Sequence, residues 1–470
     1  MPKSEFQVIE EREHPIYAVR KDNLYINNLG YYGGSPYVYE RLTRYAGESR
    51  TDFEGSSTRE GSKITGRRDQ THVIPYLQRI TDQINNYIFS TQPKRDGISD
   101  ALAKDITLEG ESIDDVMLEV SRLLTTNGWC WIGIDAPVVE NPLQLSQEAK
   151  NAQKIRPYWQ VYTALQVVDW NFTNGELDWI LIEGEEYSGE DPLQEQTFTK
   201  YRRLWQSGFV TTYFYDDEKI VSSQVIELGY SKIPFVLVGT LTAKPIGFDN
   251  LESINRSMMD IGSVNNQNYF NCVYPQRYLP ASVLEYTQEA YNKNAEEATD
   301  LIIGYNYPIL LQQGDSDPGI IMPDADAIGS LREELKELKI ELFDAIGLTL
   351  RQESRMAQSA EAKAWDHLDI NIFLAERARI LEEAELKAQQ ISKEWDSTFD
   401  NWTPIYNRNF SVSAELDMAS IVSTKDLKLP ISVNKQLARE MVKIINKNSK
   451  LTEDELAVIN EDIDNWTVNK

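Results

Sequence analysis

The chain has 470 residues, 41% of them hydrophobic and 10% aromatic, which excludes global disorder and suggests two to four structural units rather than one core. Its 74 acids outweigh 47 bases, a formal net charge of −27, so it repels polyphosphate at long range, and any contact with nucleic acid has to be local. Two cysteines, Cys130 and Cys272, are too few for a disulfide framework and read as buried free thiols. Met1-Pro2-Lys3-Ser4-Glu5 lacks the basic-then-apolar pattern of a secretory signal. No uncharged apolar run approaches the roughly 20 residues of a membrane span, and a cytoplasmic assembly is the expectation.

Residues 1–70 are polar and rich in turn formers, and surface arms and loops are expected there. From Ile74 a helical stripe appears, with Leu77, Ile80, Ile84 and Ile88 on one face and Pro75 in the first turn. A second helix starts at Ser112, with Asp115 as its capping-box partner. It buries Ile113, Val116, Val120 and Leu124, and ends at Gly128. Trp129–Ile134 follows as a buried strand. Between 157 and 240 the chain turns mainly β: Tyr158–Leu165, Trp179–Glu183, Phe198–Trp205, Phe209–Tyr215 and Phe235–Val238 are aromatic and β-branched, with turns at Asn174-Gly175 and Ser207-Gly208.

Asp249 opens a helical regime. Leu251, Ile254, Met258 and Ile261 recur every three or four residues, and Pro275 and Pro280 end that helix. A mixed segment follows, with a polar helix over Thr287–Thr299 and short strands at Leu301–Ile303, Ile309–Leu311 and Ile320–Met322. A second helix, Ala327–Ile346, carries Leu331, Leu335, Leu338 and Leu342 at heptad-like spacing. A polar break, 347–358, contains Arg351, Gln352, Glu353, Ser354 and Arg355. Then a helix free of Pro and Gly runs from Ser359 to Asp396, roughly 55 Å at 1.5 Å per residue. A β-like piece at Phe410–Ala414 and a helical tail close the chain. In the tail Thr452 and Glu455 form a capping box, and Leu456, Ile459, Ile463 and Trp466 mark the buried stripe.

Recognisable catalytic chemistry is lacking. The sequence contains neither a phosphate-binding Gly-x-x-x-x-Gly-Lys-Ser/Thr loop nor a Gly-x-Ser-x-Gly elbow. His14, His72 and His367 are far apart, and none pairs with another histidine or a cysteine at metal spacing. No catalytic residue, cofactor or metal site is expected. Carboxylate pairs such as Glu185/Glu186 and Asp216/Asp217 arise by chance in so acidic a chain. They keep a glycan hydrolase open as an alternative, although nothing selects two acids for the work.

The order of elements is the informative signal: an α/β body, a helix, a compact excursion, a partner helix, a short polar loop, a very long helix and a helical tail. Over about residues 70–465 this order resembles the portal proteins of tailed bacteriophages. Local likeness to a short-portal subfamily lies in His72-Val73-Ile74-Pro75-Tyr76-Leu77, Ile233-Pro234-Phe235-Val236, Asp249-Asn250-Leu251-Glu252-Ser253-Ile254-Asn255, Gln358-Ser359-Ala360-Glu361-Ala362 and Asn407-Arg408-Asn409-Phe410. The extended polar N-terminus departs from that pattern.

The resemblance implies an α+β portal fold. Residues 1–249 form most of the wing, 250–271 and 326–346 the stem helices, and 272–325 the clip. Residues 347–358 form a tunnel loop, 359–429 the long wing helix with a closing strand, and 430–470 the crown. It also implies a non-enzymatic, twelve-membered homo-oligomeric ring at one capsid vertex of the virion, through which double-stranded DNA passes without sequence specificity. The implied partners are terminase, a head-to-tail adaptor, the major capsid protein and scaffold, and no membrane. Leu251, Ile254, Met258, Ile261, Leu331, Leu335, Leu338 and Leu342 become the stem packing. Tyr286 and Tyr291 become candidates for docking at the clip. Arg351 and Arg355, with Gln352, Glu353 and Ser354 between them, become candidates for the channel lining. A basic tunnel would hold DNA through salt-dependent phosphate contacts, whereas an acidic wall with a few bases guides without gripping. An ordinary exposed loop is the other reading of those arginines, and another phage ring component, an adaptor or tail protein, is the other reading of the chain.

Overall fold

The computed structural model describes residues 4–57, 63–136, 155–188, 197–216, 219–228, 232–273, 276–280, 309–311, 319–321, 325–345 and 360–408 except 398, then 410, 435, 436, 438, 439, 442 and 453–465. It is a mixed helix-and-sheet, α+β protein. It divides into two compact units, 1–352 with 377–406, and 353–376 with 407–470.

The first unit begins with helices where loops are expected. Helices α1 (Glu5–Glu10), α2 (Pro15–Tyr32), α3 (Gly34–Arg41) and α4 (Arg50–Glu54) precede a small hairpin, β1 (Gly55–Ser57) and β2 (Lys63–Thr65), and then α5 (Arg67–Gln70). The reading of residues 1–70 as surface arms and loops is thereby corrected. On α2 the buried face is Tyr17, Arg20, Leu24, Asn27 and Tyr31, a helical i, i+3, i+7, i+10, i+14 series. Two of its five members are polar, so the stripe does not show in hydropathy.

Helix α6 (Tyr76–Ile88) buries Leu77, Ile80, Ile84 and Ile88 as its spacing predicts. Strand β3 (Lys94–Asp96) and the short α7 (Asp100–Lys104) lead to α8 (Ile113–Asn127). In α8 the Ser112–Asp115 capping box is formed, and Gly128, with φ of 83°, ends the helix in the left-handed region. Strand β4 (Trp129–Asp135) is buried on both faces through Ile134. It is the centre of a three-stranded antiparallel sheet, between β5 (Tyr158–Thr163) and β11 (Phe235–Gly239).

Between β5 and β11 runs an antiparallel meander: β6 (Val167–Thr173), β7 (Glu176–Ser188), β8 (Thr197–Gln206), β9 (Phe209–Asp216) and β10 (Lys219–Glu227), paired in sequence order. Asn174 and Gly175, with φ of 54° and 86°, make the tight turn from β6 to β7. Strands β6 and β10 are not marked by the sequence pattern. Neither alternates cleanly, since β6 is buried in its first four residues and exposed in its last three, and β10 is exposed except at Ile220 and Ile226. The main core joins both sheets, with Trp131, Trp170, Ile180, Trp205 and Phe235 at its heart and Ile9, Tyr17 and Leu24 added from the N-terminal helices.

Helix α9 (Gly247–Val273) and helix α10 (Ala325–Asp344) bracket three short strands, β12 (Gln276–Pro280), β13 (Ile309–Leu311) and β14 (Gly319–Ile321). Strand β12 lies between the other two, parallel to β13 and antiparallel to β14. It starts three residues after α9 ends, and β14 ends four residues before α10 begins, so the inserted segment is pinched at its base. The helix ends at Val273, and β12, which includes Pro280, is an addition to the expected elements. Leu301–Ile303 and Thr287–Thr299 lie outside the described residues.

Helix α11 (Ala360–Trp395) is 36 residues long, roughly 54 Å. From Arg377 onwards it belongs to the first unit. There Glu385, fully buried, accepts from Arg95 (2.6 and 3.1 Å), the Trp402 indole N–H (2.8 Å) and the Tyr406 hydroxyl (2.7 Å). All the donors are held by β3, by its partner β15 (Thr403–Ile405) and by their flanks. The second unit contains the first half of α11 and α12 (Glu453–Asp464), where Ile463 is buried and Leu456 and Ile459 are half-buried. Trp466 and 411–414 lie outside the described residues.

His14 starts α2. Its Nδ1 accepts the Ile16 N–H at 3.1 Å, its ring stacks on Trp170 at 4.0 Å, and its own backbone N–H donates to Val168. Burial lowers the imidazole pKa from 6.5, against the opposing pull of Asp169. A depressed base contributes stability that is complete above pH 6.5 and lost as pH falls through the folded value. The unfolding midpoint should therefore drop as pH falls below 6.5. His14→Asn, which caps without titrating, should flatten that slope. An unchanged slope in His14→Asn would show that the titrating group lies elsewhere.

Candidate functional site: a helix pair clamped by the N-terminal segment

Helix α9 is amphipathic in an unusual sense. One face carries Asp249, Glu252, Arg256, Asp260 and Ser263, spaced three and four apart, and the N-terminal segment pairs with every one of them. At the first turn, Arg20 meets both Asp249 oxygens at 2.5 and 3.0 Å, and Asn27 donates to Oδ1 at 2.8 Å. The same Asn27 amide donates to the Thr126 carbonyl at 3.0 Å, which ties α2 to α8 as well. The Ile246 N–H adds a bond to Asp249 at 2.8 Å. One turn on, Tyr37 and Arg41 converge on Glu252, the guanidinium in two-point contact at 2.9 and 3.1 Å. Thr43 then grips Asp260 with its backbone N–H and its hydroxyl, both at 2.9 Å, while Arg256 reaches back to Thr43 and the Arg41 carbonyl. Last, Arg67 donates to Ser263 and the Thr43 carbonyl, both at 2.6 Å, and pairs with Glu48 at 2.7 Å.

The electrostatics follow from burial and pairing. Burial pushes the Asp249 carboxyl up, but bonds from Arg20, Asn27 and the Ile246 N–H outweigh it and hold the pKa below 3.8. Glu48 is likewise raised by burial and lowered further by Arg67 and the Tyr45 N–H, with a net shift downward. Burial and the neighbouring Glu252 charge push the Tyr37 hydroxyl far up, so it is a permanent donor.

The apolar residues of α9 pack elsewhere. Met259 joins Tyr37, Val38, Leu42 and Phe53. Leu251 and Met258 are buried, and Ile254 and Ile261 are half-buried. Helix α9 packs against α10. On α10 Leu342 is fully buried, while Leu331, Leu335 and Leu338 stay half-exposed. The two helices that carry the expected seam residues thus pack together, and Leu331, Leu335 and Leu338 are only partly covered. Beside the seam a cavity of about 320 Å³ is lined by His72, Ile74, Met258, Asn265, Leu335 and Lys339, among others, and the Asn265 side-chain oxygen has no partner there. His72 is exposed at its rim.

The remaining expected site residues, Arg351, Gln352, Glu353, Ser354 and Arg355 of the loop and Tyr286 and Tyr291 of the insertion, lie outside the described residues. The N-terminal clamp residues went unmarked in the sequence. The available signal was the polar stripe on α9, which called for basic partners. Burial raises the Cys130 thiol pKa far above its ordinary value, so that thiol is inert. Among the described residues no group of histidine, cysteine and acidic side chains could hold a metal ion, and no helix is long and apolar enough to cross a membrane. No protein-family model and no curated protein sequence matches the chain.

Arg20 is 1% exposed at its side chain and Asp249 12%. Removing one member of such a pair costs about 3–5 kcal/mol, so Arg20→Ala should lower stability by that order in urea unfolding. Amide exchange should accelerate first in α2 and at the start of α9. Loss below about 1 kcal/mol, the ceiling for exposed pairs, would refute the clamp.

Proposed function

We propose that this chain is a subunit of the portal ring of a tailed bacteriophage, a structural channel for genome packaging, retention and ejection. The observation that carries the reading is one of order and packing. Two long helices, α9 and α10, pack together and bracket an inserted segment pinched off by its own three-stranded sheet. The 36-residue α11 then follows and is anchored in the body at Glu385. In this reading α9 and α10 are the stem, the insertion is the clip that meets terminase and later the adaptor, and 347–358 is the tunnel loop.

Two further features support it. The half-exposed leucines of α10 form an apolar seam that the described residues cover only in part, and heterologous contacts that close by rotation give rings. The formal charge of −27 suits a conduit that must not hold its cargo.

Purified protein should form a ring with a central hole in negative stain and a mass near twelve subunits by light scattering. Only monomer or dimer across a broad range of salt and concentration would reject the reading. Within an assembled ring, Arg351→Ala combined with Arg355→Ala should leave the mass unchanged while packaging or DNA retention falls. Full packaging and retention by the double variant would remove those arginines from the channel argument without touching the ring.

A further inference from the structure

The acids of α9 are neutralised within the chain, but Glu334, Glu337 and Glu341 of α10 are not. At 3.6 residues per turn, Arg332, Lys336 and Lys339 fall within an arc of roughly 60° on α10. Glu334, Glu337 and Glu341 fall within another arc of roughly 60° on the opposite flank. Between them lies the seam toward α9, with Leu335 and the fully buried Leu342. All three glutamates, Arg332 and Lys336 are exposed, and Lys339 is half-buried. Among the described residues no ion pair or hydrogen bond engages the side chain of Arg332, Glu334, Glu337 or Glu341. Lys336 makes only an exposed intrahelical pair with Glu333 at 2.7 Å, which is worth little. Lys339 sits 5.8 Å from the Tyr76 ring. Lys336 and Lys339 also line the cavity beside the seam.

We infer that the basic flank of α10 and the cavity beside it receive the acidic flank of α10 from a second copy of this chain. Each helix pair offers one sign of charge on either side, so the contact is heterologous: the basic arc of one copy faces the acidic arc of the next. A two-fold contact centred on either flank would set like against like, which is destabilising, so a contact made flank to flank is heterologous and closes into a ring. The inference rests on the ring reading above and adds which faces meet.

The test is a complementary charge reversal in the full chain. One variant carries Arg332→Glu, Lys336→Glu and Lys339→Glu; the other carries Glu334→Lys, Glu337→Lys and Glu341→Lys. Each alone should remain monomeric where the unsubstituted protein forms rings. An equimolar mixture should restore rings of the same mass, with the two variants alternating. A neutral variant, Glu334→Gln with Glu337→Gln and Glu341→Gln, keeps helix propensity and should raise the concentration needed for half-assembly about tenfold. Rings formed by either reversed variant alone, failure of the folded variants to assemble when mixed, or an unchanged assembly midpoint in the neutral variant would each overturn the inference. If the unsubstituted protein forms rings and the variants are indifferent, only this inference falls. If the unsubstituted protein never assembles, the ring reading falls with it.

Discussion

The contact between Arg20 and Asp249 is the constraint on which the arrangement of the first unit depends. The two residues are 229 positions apart, and their pairing fixes where α9 leaves the body and in which rotational setting. Asn27, which shares the carboxylate, also holds the last turn of α8 through Thr126. Three helices from distant parts of the chain are therefore set by one desolvated carboxylate. A charge buried this far must be paired, because an unpaired partner costs several kcal/mol. The pairing is thus a requirement of the fold as well as a stabilising contact.

The same logic repeats along α9 and determines its register. A hydrophobic seam tolerates sliding, since one leucine replaces another with modest loss. A ladder of Asp249, Glu252, Asp260 and Ser263 against Arg20, Arg41, Thr43 and Arg67 does not. Shifting α9 by one turn would set Arg41 against Arg256 in one direction and leave Arg20 without a carboxylate in the other. The N-terminal segment therefore acts as a ruler for α9, which explains why residues so polar are nonetheless ordered into helices and buried.

Legibility in the sequence followed the physical origin of each element. Helices α6 and α8 and the start of β4 were readable because each has a continuous apolar stripe, although polar residues such as Asn85 and Ser121 are buried beside it, and because α8 is capped by Ser112 and Gly128. Helix α11 was readable from the absence of proline and glycine over 36 residues. Helix α2 was not, because Arg20 and Asn27 interrupt its buried stripe, and its N-cap is a histidine, outside the usual Ser, Thr, Asp and Asn set. Strands β6 and β10 escaped because they are the edges of their sheet and only part of each is buried. Of the candidate site, the apolar positions on α9 and α10 were legible from their spacing. The clamp was not, since its partners lie about 200 residues apart and no local pattern connects them.

These two kinds of contact give the helix pair two different stiffnesses. Helix α9 is held on its polar face by charge-assisted bonds with strict geometry, and on another face by Met259 in a compact aromatic cluster. Helix α10 has one fully buried leucine near its C-terminal end, Leu342, beside Phe343, which meets Tyr76 edge-on at 6.2 Å. Toward its N-terminal end the leucines are half-exposed, and the side chains facing out are charged. Local stability tracks the density of buried contacts, so α10 is anchored at its C-terminal end and adjustable along the rest, against a fixed α9. A helix held in that way can settle its exposed flanks against a neighbouring surface without disturbing the body, because the contacts that set the fold lie on the other helix.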